Sequence, residues 1–112
     1  MSLENTPIRG TATYTSSGDQ TAIIDGIEGQ YFYVTDVVVA NLAAPNFCLI
    51  KSGASDTLFG IGPEILIVGA LGQFSKASFI TPLRCGEGED VIVETANANS
   101  ITVTVSGFYA TS

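Results

Sequence analysis

The chain has 112 residues, enough to bury a core without disulfide staples. Only 13% of them are charged, against about a quarter in ordinary globular proteins, while 46% are hydrophobic and the mean hydropathy is +0.37. Eleven Asp plus Glu against four Lys plus Arg give a net charge of −7, which repels phosphate backbones and disfavours direct binding of nucleic acid.

Residues 1–7, "MSLENTP", read as a polar extended arm that reaches about 20 Å at ~3.3 Å per residue, and a single domain follows over 8–112. The start lacks the basic and apolar regions of a secretory leader, so the chain is expected to be made and kept in a cytoplasm. Period-two patterning then predicts strands at 8–15 and 20–25, separated by "SSGD". After "GIEG" comes the longest run, 31–42 ("YFYVTDVVVANL"). It is apolar at both parities, the pattern of a strand covered on both faces, by the core and by a neighbour.

"AAPN" breaks that run, and strands follow at 47–52, 57–61 and 64–69. The apolar segment 65–71 is far too short to span a membrane, and no membrane partner is expected. Residues 74–80 alternate, with Phe74, Lys76, Ser78 and Ile80 on one face, and Thr81-Pro82-Leu83 is expected to end the strand. "CGEGED" leads into 90–95, and "ANANS" turns into the last strand. There Ile101, Val103 and Val105 point inward while Thr102, Thr104 and Ser106 point out. Beyond Gly107 the alternation sends Phe108 and Tyr109 to opposite faces. Phe108 is expected on the Thr face, beneath a subunit contact or the N-terminal arm. Helical periodicity is nearly absent. Short strands with no helix to cover them must bury one sheet against another, so the fold class is all-β: a two-sheet antiparallel β-sandwich of jelly-roll type with about eight strands.

Catalytic chemistry finds no support. Without His there is no Ser-His-Asp or Cys-His arrangement, and no catalytic, cofactor-binding or metal-ligating residue is assigned. Cys48 and Cys85 read as two free, buried thiols in a reducing compartment, and a zinc site would need two further soft ligands. Glu87, Glu89 and Asp90, with Glu94 beyond, gather hard oxygens on a glycine-rich turn. Such oxygens suit calcium, but their spacing does not match an EF-hand, so the favoured reading is a solvated turn, with a cation site as the alternative. Asp36, flanked by valines in "YVTDVVV", either points outward at an edge or pairs with a cation such as Arg84 or Lys51. The four bases, Arg9, Lys51, Lys76 and Arg84, are scattered and form no stripe.

So few charges on so small a domain imply that part of the surface is covered by assembly, as a homo-oligomer, dimer or trimer. Tyr31, Phe32 and Tyr33 alternate faces, so at least one ring points outward and is suited to a subunit contact. The candidate interface residues are Leu3, Pro7, Ile8 and Arg9 from the arm and first strand, together with Tyr31, Tyr33 and Phe108.

From residue 31 onward the order of features resembles a group of small tailed-phage virion proteins. An aromatic-rich strand, "YFYVTDVVVAN", precedes "NFCLIKSG". The strand ending "FITPL" leads into "GEGEDVIVET", and the last strand has the form "VTVSGFYA". Such sequences look like the jelly-roll capsid decoration (cement) proteins, and related folds serve in tails and baseplates. The resemblance covers about 80 residues and carries no active-site residue across. It implies a non-enzymatic virion protein on the capsid surface, made in the host cytoplasm. It also implies that the major capsid protein is the partner and that capsomers are bridged by an oligomer. The alternative it leaves open is a tail or baseplate module that binds a host glycan or another tail protein.

Overall fold

The computed structural model describes residues 6–41, 48–61, 73–96 and 98–112. Eight strands run through them: β1 (Ile8–Tyr14), β2 (Gly18–Ile24), β3 (Tyr31–Asn41), β4 (Cys48–Ser52), β5 (Asp56–Ile61), β6 (Gln73–Arg84), β7 (Val91–Thr95) and β8 (Ile101–Ala110). They form two four-stranded sheets with the orders β1-β8-β3-β6 and β2-β7-β4-β5, and every pairing is antiparallel. The pairs nest: β4 with β5, β3 with β6, β2 with β7 and β1 with β8. A chain folded as one long hairpin and then rolled gives this arrangement, so the all-β sandwich is of jelly-roll type. The strand expected at 64–69 lies outside the described residues, as do Leu42, Phe47 and Leu3.

The core lies between the two inner faces. β8 delivers Ile101, Val103, Val105 and Tyr109 to it in strict alternation, and Tyr14, Phe32, Val34, Val37 and Val39 complete that side. The second sheet answers with Ile24, Cys48, Ile50, Ile61, Val91 and Val93. Phe32 meets Tyr109 edge-on, with ring centroids 5.1 Å apart at 72°. β-branched residues dominate because they suit a pleated surface and pack with few rotamers to lose.

β3 departs from the expectation of a strand covered on both faces. Phe32 and Val34 are buried, and so are Val37 and Val39, which changes parity between them. On β8 the consecutive residues Gly107 and Ser106 pair with Val34 and Asp36, leaving Thr35 as an extra residue. This β-bulge swaps the two faces halfway along the strand. The sequence is therefore apolar at both parities although each half buries only one face.

β6 also differs, because Thr81-Pro82-Leu83 does not stop it. On β6, Leu83 pairs with Val34 and Ser78 with Asp36, so residues 79–82 bow out opposite Thr35. β6 is the edge strand of its sheet, and Pro82 sits in this irregular stretch, where its missing N–H interrupts no regular ladder.

Candidate functional site

The inner face of the first sheet is spent on the core, so its outer face is the surface left for contact. Register sets the rows there. Arg9 (β1) aligns with Ser106 (β8), Asp36 (β3) and Ser78 (β6), and the next row is Thr11, Thr104, Val38 and Lys76. Between these rows lies an open depression of about 410 Å³, lined by Arg9, Thr11, Asp36, Val38, Lys76, Thr104 and Ser106. Its floor is fastened by hydroxyl pairs: Thr11 Oγ1 to Thr104 Oγ1 at 3.0 Å, and Thr13 Oγ1 to Thr102 Oγ1 at 2.9 Å beside it. Each such cross-strand pair contributes roughly 0.2–1 kcal/mol.

Asp36 belongs to this face. It sits on an interior strand, not at a sheet edge, and its partner is neither Arg84 nor Lys51. The Ser78 hydroxyl donates to its Oδ1 at 2.6 Å. That hydrogen bond, helped by Thr35 and the nearby Lys76 ammonium, holds the carboxyl below its ordinary value against the opposing effect of desolvation.

One end of the face is aromatic. Tyr33 and Phe108 stack with centroids 5.2 Å apart and planes 11° from parallel, and the Tyr33 hydroxyl donates to the Ser112 carbonyl at 2.7 Å. The Arg84 guanidinium carbon stands 4.9 Å from the Tyr31 ring centroid, a cation–π contact. Phe108 is thus on the Thr face, only partly buried, while Tyr109 points inward and donates to the Asp25 carbonyl at 2.7 Å. At the β6 margin, Phe79 packs edge-on against Phe59 at 5.0 Å, whereas the next residue, Ile80, is 104% exposed.

Of the residues expected at an interface, Arg9, Tyr31, Tyr33 and Phe108 share this outer face, and Pro7 is exposed just ahead of it. Ile8 is turned the other way and packs against the core, because β1 alternates and Arg9 takes the outward position. Ile80 was not among the candidates, although its parity with Lys76 and Ser78 already placed it on the polar face.

The bases are not scattered in space. Arg9, Lys76 and Arg84 all lie on the outer face of the first sheet, Arg9 on β1 and the other two on β6, strands that the nested pairing brings into one sheet from distant parts of the chain. Lys51 is the exception: nearly buried on the second sheet, it bridges Asp19 (3.0 Å) and Glu94 (2.9 Å). Its hydrogen bonds to Glu94 and then Asp19 raise its pKa above the ordinary value.

Acids gather elsewhere. The loops carrying Asp25 and Glu28, Gly53 to Ser55, and Glu87 to Asp90 are tied at one end of the sandwich. Asp90 Oδ1 accepts from the Gly26 amide at 2.7 Å, the Asp90 carbonyl accepts from Gly53 at 2.8 Å, and the Gln30 carbonyl accepts from Gly88 at 2.8 Å. Gly53 has φ +62°, and a Cβ there would run into the Glu89 carboxylate, so glycine lets that side chain fold in. Among the described residues no group of three or more His, Cys, Asp or Glu is arranged to hold a metal ion.

Cys48 and Cys85 are free and buried. Burial pushes each thiol up to about 12, and for Cys85 a hydrogen bond with Ser52 only partly opposes it. At neutral pH they are thiols rather than nucleophilic thiolates. What the outer face offers instead is shape, hydroxyls, stacked rings and positive charge.

No protein-family model and no curated protein matches the sequence. Among solved structures, the chain is similar to one in the cyanophage Pam1 capsid asymmetric unit, with a TM-score of 0.56 and 15% identity over 94% of this chain and 85% of that one. More distant overlaps are with a Bacillus endospore appendage (TM-score 0.37, 9% identity, 93% of this chain and 84% of that one) and with the VP2 protein of infectious bursal disease virus (TM-score 0.34, 9% identity, 95% and 31%). The overlap with the Pam1 chain is a likeness of fold, spanning almost the whole rolled sandwich.

Proposed function

We propose that this chain is a structural subunit of a virion. Within that class we read it as a decoration (cement) protein on the surface of a tailed-phage head, where copies of it bridge the major capsid protein of adjacent capsomers. The observation that carries this reading is the sandwich shared with a cyanophage capsid chain over nearly the full length of both. The low charge content supports it, as does an outer face bearing stacked rings, paired hydroxyls and a fully exposed Ile80, since contact by buried area needs such surfaces. Residues 1–7 serve in this reading as an arm laid over a neighbour, ahead of the domain at 8–112.

The copy number of this chain per particle, measured by quantitative mass spectrometry of purified virions, tests the proposal. A number that matches the capsomer lattice is expected. Absence from the particle overturns the virion role.

One observation favours a second reading, a tail or baseplate module that binds host glycan. Tyr33 stacked on Phe108, with Tyr31 under Arg84, presents aromatic faces of the sort on which sugar rings stack. A copy number equal to a low multiple of the tail's rotational symmetry, with a hit on a glycan array that Tyr33→Ala abolishes, selects this reading over the first.

A further inference from the structure

The molecule is electrically two-sided. Its net charge is −7, yet the outer face of the first sheet carries Arg9, Lys76 and Arg84 against one acid, Asp36, a net of +2. Among the described residues, ion pairs within 4 Å involve Lys51 alone, so Arg9 and Lys76 reach no carboxylate of those residues at that distance. They stand at opposite sides of the 410 Å³ depression, one on each edge strand, with hydroxyls and Asp36 between them.

Five acids lie in the tied loops at one end of the sandwich, Asp25, Glu28, Glu87, Glu89 and Asp90, with Asp56 at the start of β5 and Arg84 at the end of β6 beside them. Glu28 and Glu87 are exposed there and take no part in the bonds that tie the loops together. The outer face of the first sheet carries the open depression of about 410 Å³ between Arg9 and Lys76.

We propose that the outer face of the β1-β8-β3-β6 sheet receives the acidic loop end of a second copy of this chain, with Arg9 and Lys76 gripping Glu28 and Glu87 of that copy. The overall charge does not prevent this. At physiological ionic strength the Debye length is about 8 Å, so acids farther off are screened and the local match of signs decides. The contact joins two different surfaces, so it repeats around a closed ring, runs on as an open filament, or occurs twice in a reciprocal pair. It refines the assembly role proposed above by naming how copies meet, and it concerns the isolated chain. Failure of the self-contact and absence from the virion are therefore separate results.

Sedimentation velocity of the full chain tests it, across a concentration series at about 20 mM and about 500 mM NaCl. Concentration-dependent association that weakens with salt is expected. Arg9→Glu with Lys76→Glu lowers the association constant at least about tenfold, as does Glu28→Lys with Glu87→Lys, because each turns attraction into repulsion. An equimolar mixture of the two double variants regains association, since their charges are swapped and complementary again. All four positions are exposed, so far-UV circular dichroism and the unfolding midpoint are expected to stay near wild type. A wild-type chain that sediments as a monomer at every concentration and salt overturns the proposal. So does association that the charge reversals leave unchanged, or a mixture that fails to recover.

Discussion

Gly107 touches the ring of Phe32: a β-carbon added at Gly107 stands 2.7 Å from Phe32 Cζ and overlaps the carbonyl oxygen of Tyr33. The absence of a side chain on Gly107, which pairs with Val34 beside the bulge at Thr35, lets the Phe32 ring complete the core. Gly107→Ala is expected to destabilise the fold by about 1–3 kcal/mol, because one of the colliding atoms is backbone and cannot turn aside. Urea unfolding with an unchanged m-value measures it. A loss below ~0.5 kcal/mol, the range of ordinary surface substitutions, means that the sheet yields there.

Ile80 gives the opposite result. It is fully exposed at the bowed stretch of β6, so Ile80→Asp is expected to move stability by no more than about 0.5 kcal/mol. If the outer face is an assembly surface, the same change weakens association or particle binding while the unfolding curve stays put. A variant that loses stability but keeps its binding points to packing instead.

Alkaline pH is expected to unfold the protein through its thiols. Cys48 and Cys85 have ordinary values of 9.0 raised to about 12 in the fold. Their contribution is complete below 9.0 and is lost as pH rises toward the folded value, at about 1.4 kcal/mol per thiol per pH unit. Tyr14 and Tyr109, both raised by burial, steepen the limb further above their ordinary 10.0. Unfolding free energies measured between about pH 8 and 10.5 should therefore fall, and fall less in Cys48→Ala, which has one such thiol fewer. Equal slopes in wild type and variant contradict this.

Asp36 governs part of the acid side. Its folded value is lowered, so its contribution is present above the ordinary 3.8 and disappears as pH drops through the lowered value. Asp36→Asn is expected to be less stable than wild type near neutrality, with the gap closing in acid. Ser78→Ala is expected to narrow it in the same way by removing the principal donor. A gap that stays constant from neutral to acid pH assigns the effect to side-chain packing.

How far the sequence could be read depended on regularity. β8 carries no bulge, so its alternation sorted Val103 from Thr104 and Phe108 from Tyr109 correctly. β3 misled because a single unpaired residue, Thr35, reverses the faces, and no local pattern separates a bulge from a strand buried on both sides. Pro82 misled because the rule that proline ends a strand weakens at a sheet edge, and edge position is a property of the whole topology. The three outward bases stayed hidden for the same reason. Arg9 shares a face with Lys76 and Arg84 only once β1 and β6 are placed in one sheet. Lys51 between Asp19 and Glu94 likewise depends on β2, β4 and β7 lying side by side.

The nested pairing also dictates when the molecule can form. Thr11 and Thr104, bonded across β1 and β8, are 93 residues apart in sequence, and among the described strands of its sheet β1 pairs with β8 alone. β2 waits in the same way for β7. During synthesis the first two strands therefore leave the ribosome with no sheet to join: β2 stays unpaired until residues 91–95 emerge, and β1 until residues 101–110 do. Contacts this remote in sequence put folding in the millisecond-to-second range, after translation of β8 and within reach of chaperones. A stop codon placed before residue 101 removes the strand between β1 and β3, so it leaves β1 detached from its sheet instead of a slightly shorter sandwich.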